Sequence, residues 1–120
     1  MSAFESLAAR DRRLARERFI TALDAADRAL AALGAAGMRA LVVGSLAGAR
    51  RFRKDSDVDL LLLRAADPGA ARAILGALAL PIPVDLVGEG ELPPVVRTQM
   101  LERHLDASAV RARLGEARAA

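Results

Sequence analysis

"VVGSLAGARRFRKDSDVDLLLL", residues 42–63, joins two apolar runs by a basic link, with a Gly-Ser step ending the first and an Asp-x-Asp opening the second. Short apolar runs bounded by Gly and charged residues read as buried strands. "RALVV" (39–43) and "VDLLLL" (58–63) are therefore predicted strands, with a turn or short helix and a basic loop between them. Asp57 and Asp59 alternate with Val58, so on a strand both side chains leave one face, roughly 7 Å apart along the backbone. Such carboxylates repel one another unless a cation sits between them. Their oxygens suit Mg²⁺, which prefers one or two carboxylates plus substrate phosphates to a complete protein cage. On the other side of the link, Gly44 lets a phosphate approach the backbone, and the following amides, with the Ser45 hydroxyl, can bind its oxygens.

Upstream, residues 1–34 contain no Pro and no Gly before Gly34, and Ser2 with Glu5 has the spacing of a capping box, so a helix is predicted. Phe4, Leu7, Leu14, Phe19 or Ile20, Leu23, Ala26, Leu30 and Leu33 recur at helical spacing, with a break expected near Thr21. That stripe either packs on the domain's own sheet or docks a second chain. Downstream, Asp67 as N-cap and Pro68 at the first helical position start another helix. "IPVDLVG" (82–88) is a third predicted strand, a helix follows Pro93 and Pro94, and Ser108 is expected to cap a last helix reaching about Ala117. Strands alternating with helices imply an α/β sheet with helices packed on it.

Asp85 lies inside the third apolar run, where an unpaired buried carboxylate would be costly. Beside Asp57 and Asp59 it completes a three-carboxylate site for two metals. The same letters do not make a calcium loop: a turn Gly is required where Leu60 stands, and a bidentate Glu where Ala66 stands. His104, the sole histidine, reads as structural or exposed.

A chain of 120 residues suits one domain and is too short for a catalytic domain plus a separate substrate domain. Because 28 of its residues are Ala, which adds little apolar area, the core is expected to be mostly Leu and Val. Seventeen Arg against Lys54 alone read as a composition bias, and a net charge of +3 spread over mixed-sign segments is only weak evidence for nucleic acid, so no nucleic-acid partner is expected. There is no cysteine, hence no disulfide framework and no thiolate metal site. The charged N-terminus lacks the apolar stretch of a signal peptide, and no apolar run approaches the ~20 residues of a membrane helix. A cytoplasmic protein without a membrane partner is expected.

In combination, Gly44-Ser45, the link "LAGARRFRKDS", Asp57-Val58-Asp59-Leu60 and Asp85 in "VDLV" resemble the minimal nucleotidyltransferases of the DNA polymerase β superfamily, over about residues 35–106. The link has eleven residues, where members of that family usually have ten. The resemblance implies an α/β (α+β) fold, a small mixed sheet with flanking helices and here an extra N-terminal helix. One domain, 1–120, would comprise a helical segment (1–34), a catalytic core (35–106) and a C-terminal helix (107–120). It implies that Gly44 and Ser45 hold the β and γ phosphates of ATP, with Arg53 and Lys54 adding charge at the triphosphate. Asp57 and Asp59 would bind two Mg²⁺ ions, and Asp85 would ligate the catalytic one and help activate the attacking hydroxyl.

Stand-alone members of the family are typically antitoxins that transfer AMP to, or simply bind, a small helical HEPN-type ribonuclease toxin. The resemblance thus implies an adenylyltransferase acting on a protein partner. The alternatives are a non-catalytic module that neutralises a toxin by contact and a transferase acting on small molecules or RNA ends. The chain has no Tyr, so it cannot label itself on tyrosine.

Overall fold

Ser6 accepts a hydrogen bond from the Ala9 amide at 3.0 Å and so starts α1, Leu7–Ala35, in the computed structural model, which describes residues 5–48, 56–64 and 66–120. The predicted capping box is thereby corrected. Glu5 instead holds Arg13 at 2.9 Å, while Ser2 and Phe4 lie outside the described residues. No break occurs near Thr21 either, because Ala22, Leu23, Ala26, Ala29, Leu30 and Leu33 form one uninterrupted buried face. The stripe packs on the fold from Phe19 onward, whereas Leu7 at the other end is 80% exposed. Gly37, at φ +77°, takes the left-handed turn that releases the chain from α1.

Three strands follow: β1 Ala40–Val43, β2 Val58–Leu62 and β3 Val84–Gly88. They lie in the order β1-β2-β3, with β1 antiparallel to β2 and β2 parallel to β3. The parallel step needs a crossover, supplied by α2, Pro68–Ala77, which Asp67 caps by accepting from the Gly69 amide at 2.9 Å. The third strand is shorter than its predicted 82–88. Pro83 has no amide to donate and ends the ladder by accepting from the Val58 amide at 3.0 Å. Beyond β3 come α3, Pro94–Leu101, and α4, Ala107–Ala119. Asp106, not Ser108, caps α4, accepting from the Ala109 amide at 2.8 Å and leaving Ser108 in the first turn. The result is a mixed α/β architecture, with four α-helices and a three-stranded mixed sheet among the described residues.

Strand alternation divides the sheet. Ala40, Val42, Val58, Leu60, Leu62 and Leu86 belong to one buried cluster with α1, α2 and α4. Their neighbours in sequence, including Val43, Asp59, Asp85 and Val87, take the opposite face, on the side of α3. α4 is tied along α1 by Arg118–Asp24 at 3.1 Å and Arg111–Asp27 at 3.6 Å. Between α3 and α4 the chain returns to the sheet: Leu105 and Val42 exchange two backbone hydrogen bonds of 2.9 Å, closing the outer edge of β1. Among the described residues no helix is long and apolar enough to cross a membrane.

Candidate functional site

Gly44 follows the last residue of β1 and has φ +74°, a conformation that costs an L-residue and suits glycine. It opens a single 3₁₀ turn, Gly44–Leu46, closed by the Ala47 amide on the Gly44 carbonyl, which the Gly48 amide also reaches at 3.1 Å. The adjoining strand is so close that a Cβ at Gly44 would lie 2.5 Å from Asp59 Oδ2. Glycine is therefore fixed here twice, by backbone conformation and by the carboxylate beside it.

Asp59 pairs in register with Val43 on one side and with Asp85 on the other. Register neighbours on parallel strands share a face, and the strands are ~4.8 Å apart, so the two carboxylates are side by side. Asp59 is half-buried, and its carboxyl is pushed above the usual carboxylate range, chiefly by burial and then by the charges of Asp85 and Asp57. Asp57 is exposed, one residue ahead of β2. Asp85 corrects the expectation drawn from its apolar run: it is exposed, because it points away from the helical layer on a strand whose other edge bonds no strand among the described residues.

That edge is held by a clamp. Arg72, from α2, donates to the Leu86 carbonyl at 3.0 Å and to Glu91 at 3.0 Å, while Glu91 accepts from the Gly88 amide at 2.7 Å. The Gly88 amide, aided by Arg72, holds the Glu91 carboxyl below its ordinary range. Asp85 thus sits on a strand fixed at its far end by a charge-assisted network.

Gly44, Asp59 and Asp85 open into one cleft of about 820 Å³, whose far wall is α3 with the turn after it, including Val96, Gln99, Met100 and Arg103. Ser45 is partly buried at the Gly44 turn. Its hydroxyl caps nothing, since Val43 stands at the N-cap position without a side-chain bond, and it has no hydrogen-bond partner among the described residues. Arg53 and Lys54, expected at the triphosphate, lie outside the described residues. His104 is exposed, its Nδ1 2.8 Å from the Leu101 carbonyl.

Among the described residues no three acidic or imidazole groups close on a single point as a ready-made metal cage. Magnesium requires none: two neighbouring carboxylates and a substrate phosphate satisfy it. The Asp59–Asp85 pair, crowded and deprived of water on one side, is an oxygen donor set that a divalent cation would relieve. The α3 wall had no signal in the sequence, since Gln99 and Arg103 belong to no motif and reach the cleft only through the tertiary fold.

Compared with known proteins, the chain matches no family model, no curated protein and no solved structure.

Proposed function

We propose that the chain is a Mg²⁺-dependent nucleotidyltransferase that moves an adenylyl group from ATP to a hydroxyl of a partner protein, as the antitoxin of a toxin–antitoxin pair. The observation carrying this reading is the left-handed Gly44 turn packed against Asp59, with Asp85 alongside, at the mouth of a nucleotide-sized cleft. A structural turn has no need of carboxylates at this point, and burying one beside another destabilises the fold. A triphosphate with its cations makes use of all three features.

Asp57, Asp59 and Asp85 would hold two Mg²⁺ ions, which supply charge stabilisation at the attacking and leaving oxygens. The backbone after Gly44, with the Ser45 hydroxyl, takes phosphate oxygens and orients the triphosphate. Asp85, exposed to solvent, is open to the acceptor and can receive its hydroxyl proton. The acceptor oxygen forms a bond to the α phosphorus in line, the bond from that phosphorus to the bridging oxygen breaks, and pyrophosphate leaves.

Two measurements test this. Ser45→Ala should weaken Mg²⁺–ATP binding by about 2 kcal/mol, the scale of a hydrogen bond to a charged group; equal affinity by calorimetry would remove Ser45 from the phosphate site. Intact-mass spectrometry should show one or more AMP units on a small helical protein encoded beside this chain after incubation with ATP and Mg²⁺, and none on this chain alone. AMP on this chain without the partner refutes transfer in trans. Tight association without AMP on either protein favours neutralisation by contact.

A further inference from the structure

The family resemblance puts the cations of the triphosphate in the basic link, at Arg53 and Lys54. A different one lies in the cleft. Arg103 lines the same cavity as Gly44, Asp59 and Asp85. It stands two residues before Leu105, which the paired hydrogen bonds with Val42 tie to the edge of β1. Arg103 is exposed and makes no ion pair or hydrogen bond among the described residues, although Asp59 and Asp85 line the same cavity. Arg72, Arg97, Arg111 and Arg118 hold carboxylates elsewhere on the fold, and among the described residues Arg103 is the arginine that lines this cleft.

We infer that Arg103 is the residue that binds the outer phosphates of the nucleotide, opposite the Gly44 turn, and so makes the site selective for a triphosphate over a monophosphate. The inference rests on the nucleotidyltransferase reading and adds to it a residue from the α3–α4 connection. A guanidinium forks two donors onto neighbouring phosphate oxygens, a geometry that an ammonium cannot reproduce. Its positive charge would be spent on the β and γ phosphates, leaving Asp59 and Asp85 to the metals at the α phosphate. Because the bridge is made by backbone atoms, the side chain can be changed without disturbing the sheet edge.

The test is isothermal titration of the parent, Arg103→Ala and Arg103→Lys with ATP, AMP and inorganic pyrophosphate, each in Mg²⁺. Arg103→Ala should lose about 10- to 100-fold in affinity for ATP and pyrophosphate and less than about twofold for AMP, with Arg103→Lys between. Thermal unfolding without nucleotide should coincide for all three proteins. Unchanged ATP affinity in Arg103→Ala overturns the assignment while leaving the nucleotidyltransferase reading in place. So does an equal loss for ATP and AMP, which would move Arg103 to the nucleoside end. A parent that binds neither ATP nor pyrophosphate overturns that reading and this inference together.

Discussion

Asp59→Asn should remove Mg²⁺-dependent nucleotide transfer and at the same time raise the unfolding temperature of the metal-free protein at neutral pH. The loss should exceed the ~10- to 100-fold that removing even an outer partner of a metal ligand costs. The gain in stability follows from the raised pKa of Asp59, caused by burial and by Asp85 and Asp57. A carboxyl whose pKa is higher folded than unfolded favours the fold when protonated. Its contribution is fully present below the ordinary Asp pKa and is lost as pH rises through the raised value. At neutral pH the ionised Asp59 therefore opposes folding, and the neutral amide does not. The advantage of Asp59→Asn should shrink as pH falls, disappearing below about pH 4. Adding Mg²⁺ should stabilise the parent by mass action and leave the variant unmoved. Thermal scans over pH, with and without Mg²⁺, test both halves. A variant less stable than the parent at neutral pH without metal would show that Asp59 is structural.

Gly44→Ala should be the most damaging single change in the fold's polar face. A left-handed backbone alone costs an L-residue about 1–2 kcal/mol, and the new Cβ would meet Asp59 Oδ2 at 2.5 Å. The Asp59 carboxylate must then rotate out of the cleft or β1 must separate from β2, and either movement removes the site. Chemical denaturation should show a loss exceeding the backbone term, and ATP binding should vanish. Placing the same change in an Asp59→Ala background separates the two causes, since only the clash is relieved there. Additive losses would mean that Gly44 and Asp59 do not meet as described.

The strands at the centre were legible because Leu and Val dominate residues 40–43 and 58–62, and Asp67-Pro68 and Pro93-Pro94 announced their helices through local chemistry. What escaped was decided at longer range. The apolar neighbours of Asp85 suggest burial, yet a strand has two faces, and the sheet turns this one toward the cleft. The break expected near Thr21 is absent because Ala22, Leu23, Ala25 and Ala26 carry the buried face straight on within one continuous helix. Ser6 rather than Ser2, and Asp106 rather than Ser108, took the caps, a choice among nearby candidates that composition does not rank. Arg103 lines the cleft from the connection between α3 and α4, which Leu105 ties to Val42, a pairing between residues far apart in the chain.

The register between β2 and β3 has a consequence for how the protein avoids misfolding. A one-residue slip of β3 would turn Asp85 into the layer where Leu60 and Leu86 now meet the helices, and would bring Leu86 out toward the cleft. A similar slip of β2 would drive Asp59 among the same apolar side chains. Each shifted sheet would have to hide a carboxylate from water without a partner, an expense far greater than any hydrogen bond regained. The two acids therefore act during folding as well as after it: by being intolerable on the wrong face, they bar every odd-numbered slip of this short sheet.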